Sequence, residues 1–258
     1  MFDYEEELEF ISGAMVDGYN KCLKDIFPIT ARDKSEFDLV TELDFSIEKY
    51  IMDSIGQKYP SDSILGEEFN SDTVLKQRTW TIDPIDGTVN MASGMPFFGV
   101  QCSLIAAGEP VLGCIYLPEF KELYTAVKGR GAYLNGKKIC VKEKDASHSV
   151  LSFGDYSHSR KSESDVQHKM IGVLKNKVSK IRMFGAASID FAFLASGRTS
   201  GLVIFTKNKW DITPGIVICK EAGAVLSSLN GEYSFDENVV IAAAGNAIKE
   251  EILMAGRY

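Results

Sequence analysis

Apolar side chains at Leu8, Ile11, Met15, Cys22 and Ile26 recur near helical spacing and predict an amphipathic helix over roughly 2–24, ending before Pro28. Leu39, Leu43, Ile47, Tyr50, Ile51 and Ile55 mark a second helix by the same rule. From Thr79 to Val127 the pattern changes. Short apolar runs at 79–82, 100–105, 111–116 and 123–127 alternate with turn residues, as strands of a sheet do.

Asn135-Gly136 is a hairpin-turn signal, and the polar stretch 142–149 marks a boundary between halves 1–141 and 142–258. Beyond it, strands are expected at 150–153, 181–184, 202–205, 224–226 and 239–243. Helices are expected at 164–174, 187–196, 211–222 and 247–254. This succession describes an α+β or α/β protein with neither internal repeat nor low-complexity segment.

A chain of 258 residues can bury a substantial core, and 45% hydrophobic with 25% charged residues rules against disorder as a default. The acidic start, Asp3 to Glu7, lacks the positive charge and apolar stretch of a secretory signal, and no apolar run approaches membrane-spanning length. A cytoplasmic protein is expected. Five scattered cysteines with no CxxC pair read as reduced thiols. A formal charge of −8 argues against a nucleic-acid partner. For an anionic substrate, that same charge requires bound cations to invert the local field.

The chemistry concentrates in Asp83-Pro84-Ile85-Asp86-Gly87-Thr88, where an expected strand runs out into two carboxylates. Pro84 biases Asp83 toward extended backbone and Gly87 permits a tight turn, so the carboxylates can converge on a cation. Asp-Pro or Asp-Gly alone is an ordinary turn, but the composite is far rarer. His148, His158 and His168 lack metal-ligand spacing and read as surface residues. Lys175, Lys177, Lys180 and Arg182 read as a solvated basic helix end, and Gly129-Arg130-Gly131 as a turn without the dinucleotide fingerprint.

With these residues the chain resembles the inositol monophosphatase family, lithium-sensitive metal-dependent phosphatases that include fructose bisphosphatases and nucleotide 3′-phosphatases. The likeness takes in Asp38-Leu39-Val40-Thr41 with Asp44, Gly66-Glu67-Glu68, the 83–88 run with Asn90, Gly185-Ala186-Ala187-Ser188, and Trp210-Asp211 followed by Glu221-Ala222-Gly223-Ala224. It implies a layered αβαβα sandwich and two or three Mg²⁺ ions. Glu67, Asp83 and the Ile85 carbonyl would hold one ion; Asp83, Asp86 and Asp211 a second; Glu67 would share a third. Oxygen-only ligands suit Mg²⁺.

The resemblance further implies a water activated at the metals and oriented by Glu67 and by Thr88 hydrogen-bonded to Asp44. Gly87 and Thr88 amides would take phosphate oxygens. Asp86, Gly185, Ala186, Ala187 and Asp211 would contact the substrate, and Lys34, in a polar loop, would approach the metals. A homodimer follows from the resemblance alone. Asp44 also suits a capping box with Thr41, and Asp211 a helix N-terminal charge, so both have local alternatives.

One departure bears on specificity. Inositol-preferring members carry a glutamate several residues before the Trp-Asp pair, where this chain has Val203-Ile204-Phe205-Thr206. The expected activity is therefore phosphomonoester hydrolysis on a small metabolite. The alternatives are a fructose bisphosphatase or nucleotide 3′-phosphatase of the same fold, or a metal- and phosphate-binding regulatory protein.

Overall fold

The computed structural model describes residues 3–26, 30–36 and 38–257. Phe2 and Pro28, which bound the first expected helix, lie outside them. Helix α1 (Glu5–Asp25) opens on Glu5, Glu6 and Glu7, which complement its N-terminal dipole, and buries Ile11, Met15 and Tyr19. Strands β1 (Ala31–Ser35) and β2 (Asp38–Thr41) then form an antiparallel arm. This arm corrects two expectations: Leu39 belongs to a strand, and the polar loop around Lys34 is paired backbone.

Helix α2 (Glu42–Lys58) starts later than its apolar spacing suggested because Thr41 caps it. The Thr41 hydroxyl accepts the Leu43 N–H at 3.1 Å, and Asp44 Oδ2 accepts the Thr41 N–H at 2.9 Å.

Next comes a seven-stranded sheet: β3 (Ser63–Gly66), β4 (Arg78–Asp86), β5 (Gly99–Ala106), β6 (Glu109–Leu117), β7 (Glu122–Val127), β8 (Gly131–Leu134) and β9 (Lys137–Ile139) lie side by side in chain order. Only the β3–β4 pairing is parallel. Asn135 and Gly136, both at positive φ, close the β8–β9 hairpin that the dipeptide announced. Short helix α3 (Thr88–Ala92) leaves the end of β4.

The later elements are β10 (Val150–Phe153), α4 (Lys161–Leu174), β11 (Lys180–Arg182), α5 (Ala187–Ala195), β12 (Gly201–Phe205), α6 (Lys209–Glu221), β13 (Val225–Ser227), β14 (Val239–Ala243) and α7 (Asn246–Ala255). Their strands form a second sheet in the order β11-β10-β12-β14-β13.

Three buried clusters define five layers. Ile11, Met15, Ile47 and Ile51 of α1 and α2 pack on Trp80, Val100 and Leu112 of the first sheet. Phe191, Ile212 and Ile218 of α5 and α6 fill the space between the sheets, against Ile115 and Tyr124 on one side and Leu202 and Val240 on the other. Met170 and Leu174 of α4 and Ile248 and Ile252 of α7 cover the outer face of the second sheet. The result is an αβαβα sandwich. Each fully buried Ile or Leu contributes about 1.5–3 kcal/mol of transfer free energy, before the entropy of ordering the chain is subtracted. Among the described residues no helix is long and apolar enough to cross a membrane.

Candidate active site

Strand β4 carries the whole Asp83–Asp86 run rather than ending before it, and its pairing with β5 slips between Asp83 and Asp86. Such an irregularity bends the strand and redirects side chains. Gly87 turns the chain at φ 90°, and a Cβ there would lie 2.8 Å from the Phe97 carbonyl oxygen and 2.9 Å from Ala186 Cβ, so only glycine fits.

Thr88 starts α3 with its hydroxyl 3.0 Å from Asp44 Oδ1 and 2.8 Å from the Ile85 carbonyl. Asp44 therefore serves both roles considered for it. Its Oδ2 receives Thr41 of the cap and its Oδ1 receives Thr88, with the side chain buried at 1% exposure. Burial pushes its carboxyl above the usual range, against the pull of Thr41 and Thr88.

Glu67 follows β3, and Lys34 of the arm reaches it. The ammonium donates to Glu67 Oε1 at 2.7 Å and Glu68 Oε1 at 2.5 Å. Burial opposes the Lys34 charge, but the two carboxylates outweigh it and raise its pKa. Burial likewise pushes Glu67 up to about 7, with Lys34 holding it back and the Glu68 and Asp44 charges adding to the rise.

Asp83 is 1% exposed, and its Oδ1 has no hydrogen-bond partner. Burial raises its carboxyl well above the ordinary range, and the charges of Glu67, Asp86 and Asp211 raise it further. Asp211, in the first turn of α6, is raised by burial and by Glu67 and Asp86. These four carboxylates, drawn from β3–β4 and α6, thus share one electrostatic environment.

Asp86 ties the turn at Gly185–Ser188 to β4: its Oδ1 accepts the Ala187 amide at 3.2 Å and its Oδ2 the Ser188 amide at 2.6 Å. Burial pushes its carboxyl up to about 6 against those bonds. The amide of Ala187, a residue expected to contact the substrate, is consequently already bonded. Among the described residues, no group of three or more His, Cys, Asp or Glu side chains already closes into a metal cage. Lys34, the α5 amides and Thr206 hold the carboxylates instead.

Three residues escaped the sequence. Gln101 of β5 donates to Asp83 Oδ2 at 3.4 Å and to the Asp211 carbonyl at 3.2 Å. Thr206 donates to Asp211 Oδ2 at 2.8 Å, so the segment that lacks the inositol-selective glutamate orients a carboxylate. Glu48 holds the turn beyond Glu67. Asn90, part of the motif, donates to the carbonyls of Phe97 and Phe184, each at 2.7 Å, and so joins the first sheet's end to the second half.

The model of the inositol monophosphatase family matches residues 3–256. The chain belongs to this family. It is thereby a phosphoric monoester hydrolase. It is 34% identical over 226 residues to a fructose-1,6-bisphosphatase/inositol-1-monophosphatase of Aquifex aeolicus, covering 87% of this chain and 84% of that protein. An inositol monophosphatase of Mesembryanthemum crystallinum is 37% identical over 86% of this chain and 84% of its own. The Nus factor SuhB of Escherichia coli is 32% identical, with 84% and 82% covered. Among solved structures, the Thermotoga maritima IMPase superposes with a TM-score of 0.87 at 29% identity, over 98% of this chain and 97% of that one. The family's layered fold is the one described above.

Proposed function

We propose that the chain is a Mg²⁺-dependent phosphomonoesterase that hydrolyses a small phosphorylated metabolite, with Glu67, Asp83, Ile85, Asp86 and Asp211 as the metal ligands. The observation that carries this is Asp83: a buried carboxylate with an unpartnered oxygen, surrounded by three further carboxylate charges. Such a cluster is unfavourable by itself and suits a hard divalent cation bound through oxygen.

Bound Mg²⁺ would supply the positive charge that draws phosphate into an acidic pocket and would ease deprotonation of the attacking water. The protein's own residues then do the rest. The Thr88 hydroxyl, oriented by Asp44 Oδ1, and the Glu67 carboxylate position the water and take its proton. The Gly87 and Thr88 amides receive phosphate oxygens. Asp86 fixes the 185–188 turn, so the alcohol portion meets it through Gly185 and Ala186, beside the amides that Asp86 already holds. Lys34, bonded to Glu67 and Glu68, supplies a cation beside the cluster. Gln101 and Thr206 hold Asp83 and Asp211 in place.

The substrate reading stays at the level of a phosphorylated polyol, sugar or nucleotide. Thr206 occupies the segment where inositol-preferring members place a glutamate, and a missing acceptor for ring hydroxyls removes the strongest source of discrimination. Lithium inhibition, a cytoplasmic location, a homodimer and division into halves at 142–149 belong to the same reading.

The test is phosphate release from inositol, sugar and nucleotide monophosphates and fructose 1,6-bisphosphate, with Mg²⁺, with chelator and with added lithium. Release from at least one ester, abolished by chelator and by Asp83→Asn, is expected. No release from any ester in the presence of Mg²⁺ would sink the proposal and favour a regulatory protein that binds metal without turnover.

A further inference from the structure

Glu48 lies one turn beyond Asp44 on α2, so both carboxylates leave the same helix face. Asp44 turns to Thr88. Glu48 is wholly buried and reaches the chain just after β3: its Oε2 accepts the Glu68 N–H at 2.8 Å and its Oε1 the Phe69 N–H at 3.0 Å. The polypeptide makes room for this carboxylate at one point. A Cβ on Gly66 would stand 2.1 Å from Glu48 Oε1, and any side chain there would expel it.

Residues 66–69 therefore wrap around one buried carboxylate, and Glu67 is the residue in the middle of the wrap. Its own amide is bonded to the Ile82 carbonyl at 3.2 Å, next to Asp83. Backbone is fixed on both sides of Glu67, by β4 before it and by Glu48 after it. Amide bonds to an ionised acceptor are roughly twice as strong as neutral ones, which suits a carboxylate to hold a turn that must not drift.

We propose that Glu48 is a positioning residue that locks the 66–69 turn and thereby aims Glu67 at the cation site. This rests on the metal role given to Glu67 above. A residue that merely anchored a loop would affect stability and leave cation affinity alone. A positioning residue lowers cation affinity as well, and because Glu67 also takes the water's proton, it lowers turnover even at saturating cation.

The experiment compares the full chain with Glu48→Gln, which keeps the shape but places an NH₂ group opposite a backbone N–H. Three quantities are measured: amide hydrogen exchange at Glu68 and Phe69 in metal-free protein, Mg²⁺ affinity by calorimetric titration, and the Mg²⁺ dependence of turnover. Exchange at both amides should accelerate, and Mg²⁺ affinity should weaken about tenfold or more, as for other groups that orient metal ligands. Turnover at saturating Mg²⁺ should fall as well, since a misaimed Glu67 meets the water less well.

Unchanged Mg²⁺ affinity alongside faster exchange would overturn the proposal and leave a simple loop anchor; unchanged exchange would overturn it outright. Wild-type protein that binds no Mg²⁺ would instead sink the functional reading, and exchange at the two amides would still decide whether Glu48 holds the turn. If Glu48→Gln fails to fold, Gly66→Ala displaces the same carboxylate and carries the same expectation.

Discussion

Thr88 stands 44 residues after Asp44, yet its hydroxyl lies 3.0 Å from Asp44 Oδ1, closing the first turn of α2 onto the exit of β4. The helix cap and the turn that leaves β4 thus share one carboxylate. Thr88→Val, which removes the hydroxyl and keeps the shape, should lower kcat by about 10²–10⁴, the range for a proton-transfer group. Thr88→Ser should retain most activity. Equal kinetics for Val and Ser would remove Thr88 from the chemistry.

Asn90 holds the Phe97 and Phe184 carbonyls from a site only 7% exposed. Asn90→Ala should cost about 1–3 kcal/mol, since two half-buried acceptors lose their donor. It should also loosen the Gly185 turn, because a Cβ at Gly185 would already lie 2.9 Å from Asn90 Nδ2. Urea unfolding gives the first effect. A raised KM with little change in kcat would report the second.

Four carboxylates that raise one another's proton affinity should make the metal-free protein less stable than its metal-bound form. Thermal melts with rising Mg²⁺ should show a steady gain, about 2.7 kcal/mol at a hundredfold excess over Kd. Asp83→Asn relieves repulsion and weakens the site together. Without Mg²⁺ the variant should match or exceed wild type in stability; with Mg²⁺ it should fall below. Parallel responses to Mg²⁺ in the two proteins would contradict this.

Gly113 of β6 faces Pro214 of α6: a Cβ there would sit 2.3 Å from the Pro214 carbonyl oxygen. That atom belongs to backbone, so relief requires the helix to move. Gly113→Ala should destabilise by about 1–3 kcal/mol. Since α6 carries Asp211 three residues before Pro214, activity should drop as well. Chemical denaturation beside a kinetic assay separates the two losses.

The sequence made the layers and most of the carboxylate set legible because both follow local rules. Short apolar runs split by turn residues marked β4 to β7, and Asp83 to Thr88 announced a strand opening into a turn. What it hid depends on contacts across the chain. Strand β1 is polar and mostly exposed, so no alternation marks it and only its pairing with β2 defines it. Leu39 and Leu43, four apart, matched helical spacing although Thr41 cuts between them. Gln101 and Glu48 each bond two partners far along the chain, and Thr206 reaches Asp211 across a turn, so no spacing announces these contacts.

Asp190 of α5 offers a test of pH dependence outside the carboxylate cluster. It is wholly buried and neither of its oxygens has a hydrogen-bond partner. Burial holds its carboxyl well above the ordinary range, against the pull of the nearby Ser152 hydroxyl, and the Asp86 and Asp155 charges add to the rise. An unfolded aspartate titrates near about pH 3.9. Between that point and the raised native value, the folded chain keeps a proton that the unfolded chain has released, so stability falls as pH rises through the interval. Asp190→Asn has nearly the same shape and cannot ionise. Its stability relative to wild type should therefore grow from about pH 4 upward, read as diverging urea midpoints at acidic and neutral pH. Midpoints that stay a constant distance apart would mean that Asp190 is charged in the folded protein, and that an unseen partner stabilises it there.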